Sequence, residues 1–119
     1  MKKYSFEKLD VWQKAKDFTV MLYKVTSEFP KAEKFGLVSQ LRRAAVSVSS
    51  NLAEGSSRTS PKDQGRFYNI AYSSAVEVLN QLIISKELEF IDEEMYKKLR
   101  NGIENITAMI NSLHKSTQR

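Results

Sequence analysis

Apolar side chains recur along this chain at alternating steps of three and four residues, the period of a helix that buries one stripe. From Val11 through Ala15, Phe18, Leu22 and Val25 to Phe29 the steps are 4, 3, 4, 3 and 4. That stripe predicts a first helix over about 7–28. Phe29-Pro30 closes it, because a residue before proline is pushed out of the α region. A second stripe of Leu37, Leu41, Ala44 or Ala45, Val48 and Leu52 predicts a helix over about 33–54. Gly55 is expected just past its end as a left-handed cap. The polar run Ser56-Ser57-Arg58-Thr59 then makes the connection.

Ser60-Pro61-Lys62-Asp63 is a strong helix start: a hydroxyl to accept a free N–H, a proline at the first position and a carboxylate near the positive end. The helix that follows spans about 61–86, with Tyr68, Ala71, Ala75, Val78 and Leu82 on its stripe. Asp92-Glu93-Glu94 opens a fourth over about 93–115, along Met95, Leu99, Gly102, Ile106, Met109 and Leu113, with Ile103 and Ile110 widening the face. Four long helices joined by short connections imply antiparallel neighbours. The expectation is all-α: a single domain over 1–119, an up-down-up-down antiparallel four-helix bundle.

Two helices carry more apolar surface than such a bundle buries. Leu9, Trp12, Val20 and Tyr23 form a second stripe on the first helix, roughly opposite Val11–Phe29. The third is apolar nearly all round, with Ile70 and Ile84 on one flank and Tyr72, Val76 and Ile83 on another. A helix apolar on every side must be covered on more than one. Leu9, Trp12, Val20, Tyr23, Ile83 and Ile84 are therefore the expected contacts of a homo-oligomer. The competing reading is a widened core face with scattered exposed side chains.

Composition narrows the chemistry. With no Cys and one His, His114, disulfides, thiolate catalysis, sulfur-ligated zinc and Ser-His-Asp chemistry are excluded or nearly so. Two Glu-x-x-His motifs, which a di-metal carboxylate bundle needs, are absent. No apolar run approaches the roughly 20 residues that cross a bilayer, and no apolar stretch follows the basic start Met1-Lys2-Lys3. A cytoplasmic protein without cofactor or metal, not associated with a membrane, is expected. The net charge of +5 is unevenly spread: residues 1–59 hold 11 Lys/Arg against 6 Asp/Glu, while residues 60–119 hold 8 of each. The basic first half points towards a polyanion.

The most unusual stretch runs from Gln40 to Gly55, dense in small residues and headed by Arg42-Arg43. A guanidinium fork matches phosphate oxygens, so Arg42 and Arg43 are candidate phosphate contacts. The structural alternative has one of them paired with a carboxylate such as Glu54 or Glu77 inside an assembly. Asn51 and Glu54 read more readily as packing residues than as catalytic groups. Arg58, Lys62 and Arg66 give one end of the bundle a basic corner, although any single surface cation is as easily plain solubility charge. Neither a Gly-rich phosphate loop nor a helix-turn-helix is recognisable.

The chain resembles the bacterial four-helix bundle proteins known as 23S rRNA intervening sequence proteins. The likeness rests on Leu9-Asp10-Val11-Trp12-Gln13-Lys14-Ala15, on Phe29-Pro30, on Gln40 through Gly55, and on Ile70-Ala71 with Ser74, Glu77 and Gln81-Leu82. It is similar also to the accessory proteins of diversity-generating retroelements, which are basic pentameric barrels that bind nucleic acid and associate with a reverse transcriptase. The resemblance implies a ring of five, a nucleic-acid partner and a possible protein partner such as a reverse transcriptase. It implies no catalytic residue. Two positions depart from the pattern: Ser73 stands where glycine is common, and Leu79 where a second glutamate is expected. The function expected is a non-enzymatic homo-oligomer that binds structured RNA or DNA through phosphates, the alternative being a protein-interaction scaffold.

Overall fold

The computed structural model describes residues 1–118. They form four long helices: α1 (Asp10–Thr26), α2 (Leu37–Ser57), α3 (Pro61–Glu87) and α4 (Glu93–Ser116), with no strand among the described residues. The caps follow local chemistry. Ser60 Oγ accepts the Asp63 N–H at 3.1 Å with Pro61 behind it, and Asp92 Oδ1 accepts the Met95 N–H at 2.8 Å. Each satisfies an N–H that the first helical turn leaves without a partner.

Three boundaries differ from expectation. Residues Ser5–Lys8 form a separate 3-10 turn, so α1 starts at Asp10 instead of near 7. A second 3-10 turn occupies Lys31–Glu33, and α2 begins at Leu37, not near 33. At its other end α2 continues to Ser57, past Gly55, and no glycine has a positive φ. Gly55 is therefore a helical residue, not a left-handed cap. Its missing side chain answers to packing: a Cβ there would lie 2.6 Å from Tyr68 Cε1. The left-handed position falls instead on Glu89, φ 62°, in the turn between α3 and α4.

Cross-helix pairs set the directions. Thr19 meets the Ala45 carbonyl and Thr26 meets Arg42; Ser47 meets Ser74 and Gln40 meets Gln81; Gly65 lies beside Thr117 while Lys86 reaches Glu93. In each case one number rises as the other falls, so consecutive helices run antiparallel. Phe18 against Gly102 brings α1 onto α4. The diagonal pairs, α1 with α3 and α2 with α4, do not approach one another among the described residues.

Leu22, Leu41, Leu52, Leu82, Leu99, Ile103, Ile106 and Ile110 are the largest fully enclosed apolar side chains and come from all four helices. Burial of each such side chain contributes about 1.5–3 kcal/mol. Thr26 and Ser85, equally buried, return their hydroxyls to the carbonyls four residues back at 2.8 Å. They therefore leave no polar hydrogen stranded in the core.

Candidate functional site

Arg42 is committed to the chain itself. Its Nε donates to Thr26 Oγ1 at 3.0 Å and its Nη2 to the Tyr23 carbonyl at 3.1 Å, with the guanidinium 4.4 Å from the centre of the Tyr23 ring. A cation is thereby set at the C-terminal end of α1, where free carbonyls concentrate negative potential. Neither Glu54 nor Glu77 pairs with it. Arg43 turns the other way, into a groove between α2 and α3 that it shares with Gln40 and Glu77.

Sixteen residues of helix separate Arg42 from Arg58, a rise of about 24 Å. The five expected phosphate contacts therefore do not form one site. Arg58, Lys62 and Arg66 gather at the far end, where α2 turns into α3. Arg58 pairs loosely with Glu54 and Arg66 with Asp63, both at 3.6 Å, and their guanidiniums lie 4.6 and 5.2 Å from the Phe67 ring. Exposed pairs of this length contribute little, so both cations stay available to an anion. Lys62 has no ion pair among the described residues. The last turn of α4 approaches this corner over Gly65, leaving an open cleft of about 780 Å³ lined by Lys62, Arg66, Asn69 and His114, with Asp63 as its one carboxylate among the described residues. His114, unremarkable in the sequence, is a member that helical periodicity alone did not place there.

The model of the 23S rRNA-intervening sequence protein family matches residues 7–112. The chain belongs to that family. A crystal structure of a protein of unknown function from the S23 ribosomal protein family of Bacteroides thetaiotaomicron VPI-5482 superposes with a TM-score of 0.80. It is 26% identical, and the match covers 88% of this chain and 98% of that one. No curated protein matches the chain.

Within this intervening sequence protein, the side chains expected at an oligomer contact divide in two. Leu9 and Trp12 are half-buried against the chain's own core, and Trp12 meets the Phe6 ring edge-on at 4.9 Å. Phe6, in the 3-10 turn over Ser5–Lys8, covers part of Trp12. Val20, Tyr23, Ile83 and Ile84 are exposed, Tyr23 partly under Arg42. Tyr72, Val76 and Ile70 extend the exposed surface of α3, as its all-round apolarity anticipated. Val46 on α2 and Phe35, 89% exposed before α2, were not anticipated; neither belongs to a periodic stripe that would mark it. Of the two departures from the family pattern, Ser73 is exposed and Leu79 is half-buried against the core.

Titration is perturbed at three places, none of which lines the basic cleft or the groove beside Arg43. Burial raises the Tyr68 phenol. A hydrogen bond from Lys86, 3.0 Å away, lowers the Glu93 carboxyl and raises Lys86 in turn. Arg100 is raised by its hydrogen bonds to Tyr96 and Glu104. The last two are struts, Lys86–Glu93 between helices and Arg100 within α4. Among the described residues no three His, Cys, Asp or Glu side chains converge on a metal-sized space. No helix is long and apolar enough to cross a membrane.

Proposed function

We propose that this intervening sequence protein is a non-enzymatic bundle that assembles with copies of itself and binds structured RNA or DNA through phosphate contacts. The cleft at the α2–α3 end supports the reading most directly: Lys62, Arg66 and His114 surround it, with Asp63 the one carboxylate among the described residues. A phosphate there meets a net positive field and donors from two helices. Arg58 stands beside it, stacked on Phe67. Arg43 belongs to a second surface, and Arg42 acts chiefly as a clamp on α1. A ring of five would repeat the basic corner around an axis and multiply its field, as the resemblance to the retroelement accessory proteins implies.

Fluorescence anisotropy of labelled duplex RNA and DNA across about 50 to 200 mM salt tests the proposal. Affinity should fall log-linearly with salt. Lys62→Ala with Arg66→Ala should weaken binding and reduce the slope by about 2. An absence of binding at the lowest salt would remove the nucleic-acid reading. The alternative, a scaffold for a protein such as a reverse transcriptase, is favoured by one observation: Tyr72, Val76 and Ile83 lie exposed along one stripe of α3. Apolar docking of that kind would be nearly insensitive to salt.

A further inference from the structure

The arginines of this chain are committed unequally. Arg42 gives two hydrogen bonds to the end of α1, and Arg100 is held by Tyr96 at 2.6 Å and Glu104 at 3.3 Å. Arg58 and Arg66 make no side-chain hydrogen bond among the described residues, and each meets its carboxylate only at 3.6 Å. What they share is one aromatic ring. Their guanidiniums lie 4.6 and 5.2 Å from the centre of Phe67.

The ring and one of its cations are fixed from within the fold. Phe67 is half-buried, and its Cβ would stand 3.1 Å from a Cβ on Gly55, so the bare backbone of α2 lets α3 bring the ring this close. The Arg58 N–H donates to the Gly55 carbonyl at 3.2 Å, and the Arg58 carbonyl accepts Gln64 Nε2 at 3.0 Å. Arg58 therefore enters the corner from a set position, and Arg66 precedes Phe67 on α3.

A guanidinium lying on an aromatic ring is a planar, weakly hydrated cation whose outer face stays open. The side chains of Arg58 and Arg66 are 43% and 66% exposed. Nucleobases stack on such guanidinium planes as they do on aromatic rings. Arg66 also lines the basic cleft with Lys62 and His114, so one side chain joins the two surfaces.

We infer that this corner takes an unpaired nucleotide, its phosphate in the cleft and its base on the guanidiniums held by Phe67, so that single-stranded segments are bound in preference to duplex. Base pairing decides between the two. Inside a duplex both faces of each base are covered by its neighbours, leaving only edges and phosphates to a protein. A base in a loop, a bulge or a free end has a face to offer. The inference rests on the phosphate-contact reading above and adds the class of nucleic acid that the site selects. The chemistry is common to RNA and DNA.

Anisotropy of a labelled single strand of about 12 nucleotides, as RNA and as DNA, against its own duplex at about 50 mM salt tests it; the tighter strand names the source. The single strand should bind at least about fivefold more tightly than the duplex, although the duplex carries twice the phosphates. Replacing its bases with abasic sites keeps every phosphate and should weaken binding about tenfold with the salt slope unchanged. Arg58→Lys with Arg66→Lys keeps both charges but not the planes. That variant should lose about tenfold on the single strand and less than about twofold on the duplex. Phe67→Leu should act in the same direction. Circular dichroism verifies folding, and the two lysine substitutions, on exposed side chains, carry the comparison should Phe67→Leu not fold. A duplex bound as tightly as the strand, an abasic strand bound as tightly as the intact one, or lysine substitutions without effect would overturn the stacking while the phosphate contacts stood. No binding of strand or duplex at the lowest salt would overturn both.

Discussion

Replacing Gly55 with alanine sets two effects against each other, and the structure decides the sign. In a helix, Gly→Ala gains at most about 1 kcal/mol from backbone entropy. Here the new Cβ would stand 2.6 Å from Tyr68 Cε1, 2.8 Å from Cδ1 and 3.1 Å from Phe67 Cβ. Carbon atoms in contact prefer about 3.5–4.0 Å, so the ring or α2 must yield by about 1 Å. Tyr68 is 4% exposed and has little room to retreat. Overpacking costs about 1–3 kcal/mol, and contacts this short against an enclosed ring place this case in the upper half, about 2–3, leaving a net loss of roughly 1–2 kcal/mol. With an unfolding entropy near 2.1 cal/mol/K per residue, Tm should fall by about 4–8 °C. Thermal and urea unfolding followed by circular dichroism would measure it. In a Tyr68→Ala background the same change should become neutral or stabilising, a coupling of about 1 kcal/mol or more. A higher Tm for Gly55→Ala alone, or an undiminished loss without the Tyr68 ring, would refute the reasoning.

Other substitutions probe separate supports. Ser60→Ala removes the α3 cap and should cost about 1 kcal/mol, read as a lower urea midpoint with an unchanged m-value. Leu41→Ala empties a fully enclosed position between helices and should cost about 2–5 kcal/mol, enough to show as a large loss of Tm. Arg42→Ala should lower stability by about 1 kcal/mol through Thr26, Tyr23 and the end of α1, yet leave the salt slope of nucleic-acid binding nearly intact; a slope reduced by about 1 would return Arg42 to the phosphate contacts. Glu93 has a lowered folded pKa, so its contribution is present above the ordinary carboxylate value and disappears as pH falls through the folded one. Lys86 has a raised one, so its contribution is present below the ordinary lysine value and is lost as pH climbs through the folded one. Lys86→Met should therefore flatten both limbs of a Tm-against-pH curve, and an unaltered acid limb would contradict the pairing.

Much of this molecule is written locally. The alternation of threes and fours from Val11 to Phe29, and again in each later helix, makes one face of every helix apolar whatever surrounds it, and burial follows because water rejects that face. The caps at Ser60 and Asp92 are equally local, since a side chain three residues away satisfies the free N–H. What periodicity cannot express is which neighbour meets a given side chain. Leu9 and Trp12 look surplus on a helical wheel, yet both are partly buried against the core, and the 3-10 turn behind Tyr4 brings Phe6 against Trp12. Gly55 has the signature of a helix stop, yet Tyr68 of α3 explains its missing side chain. Arg42 and Arg43 are adjacent and chemically alike, but successive helical residues point about 100° apart. One therefore locks the end of α1, while the other opens onto Glu77. Short-range geometry determined the helices; their antiparallel contact decided which polar groups are consumed inside the chain and which remain for a partner.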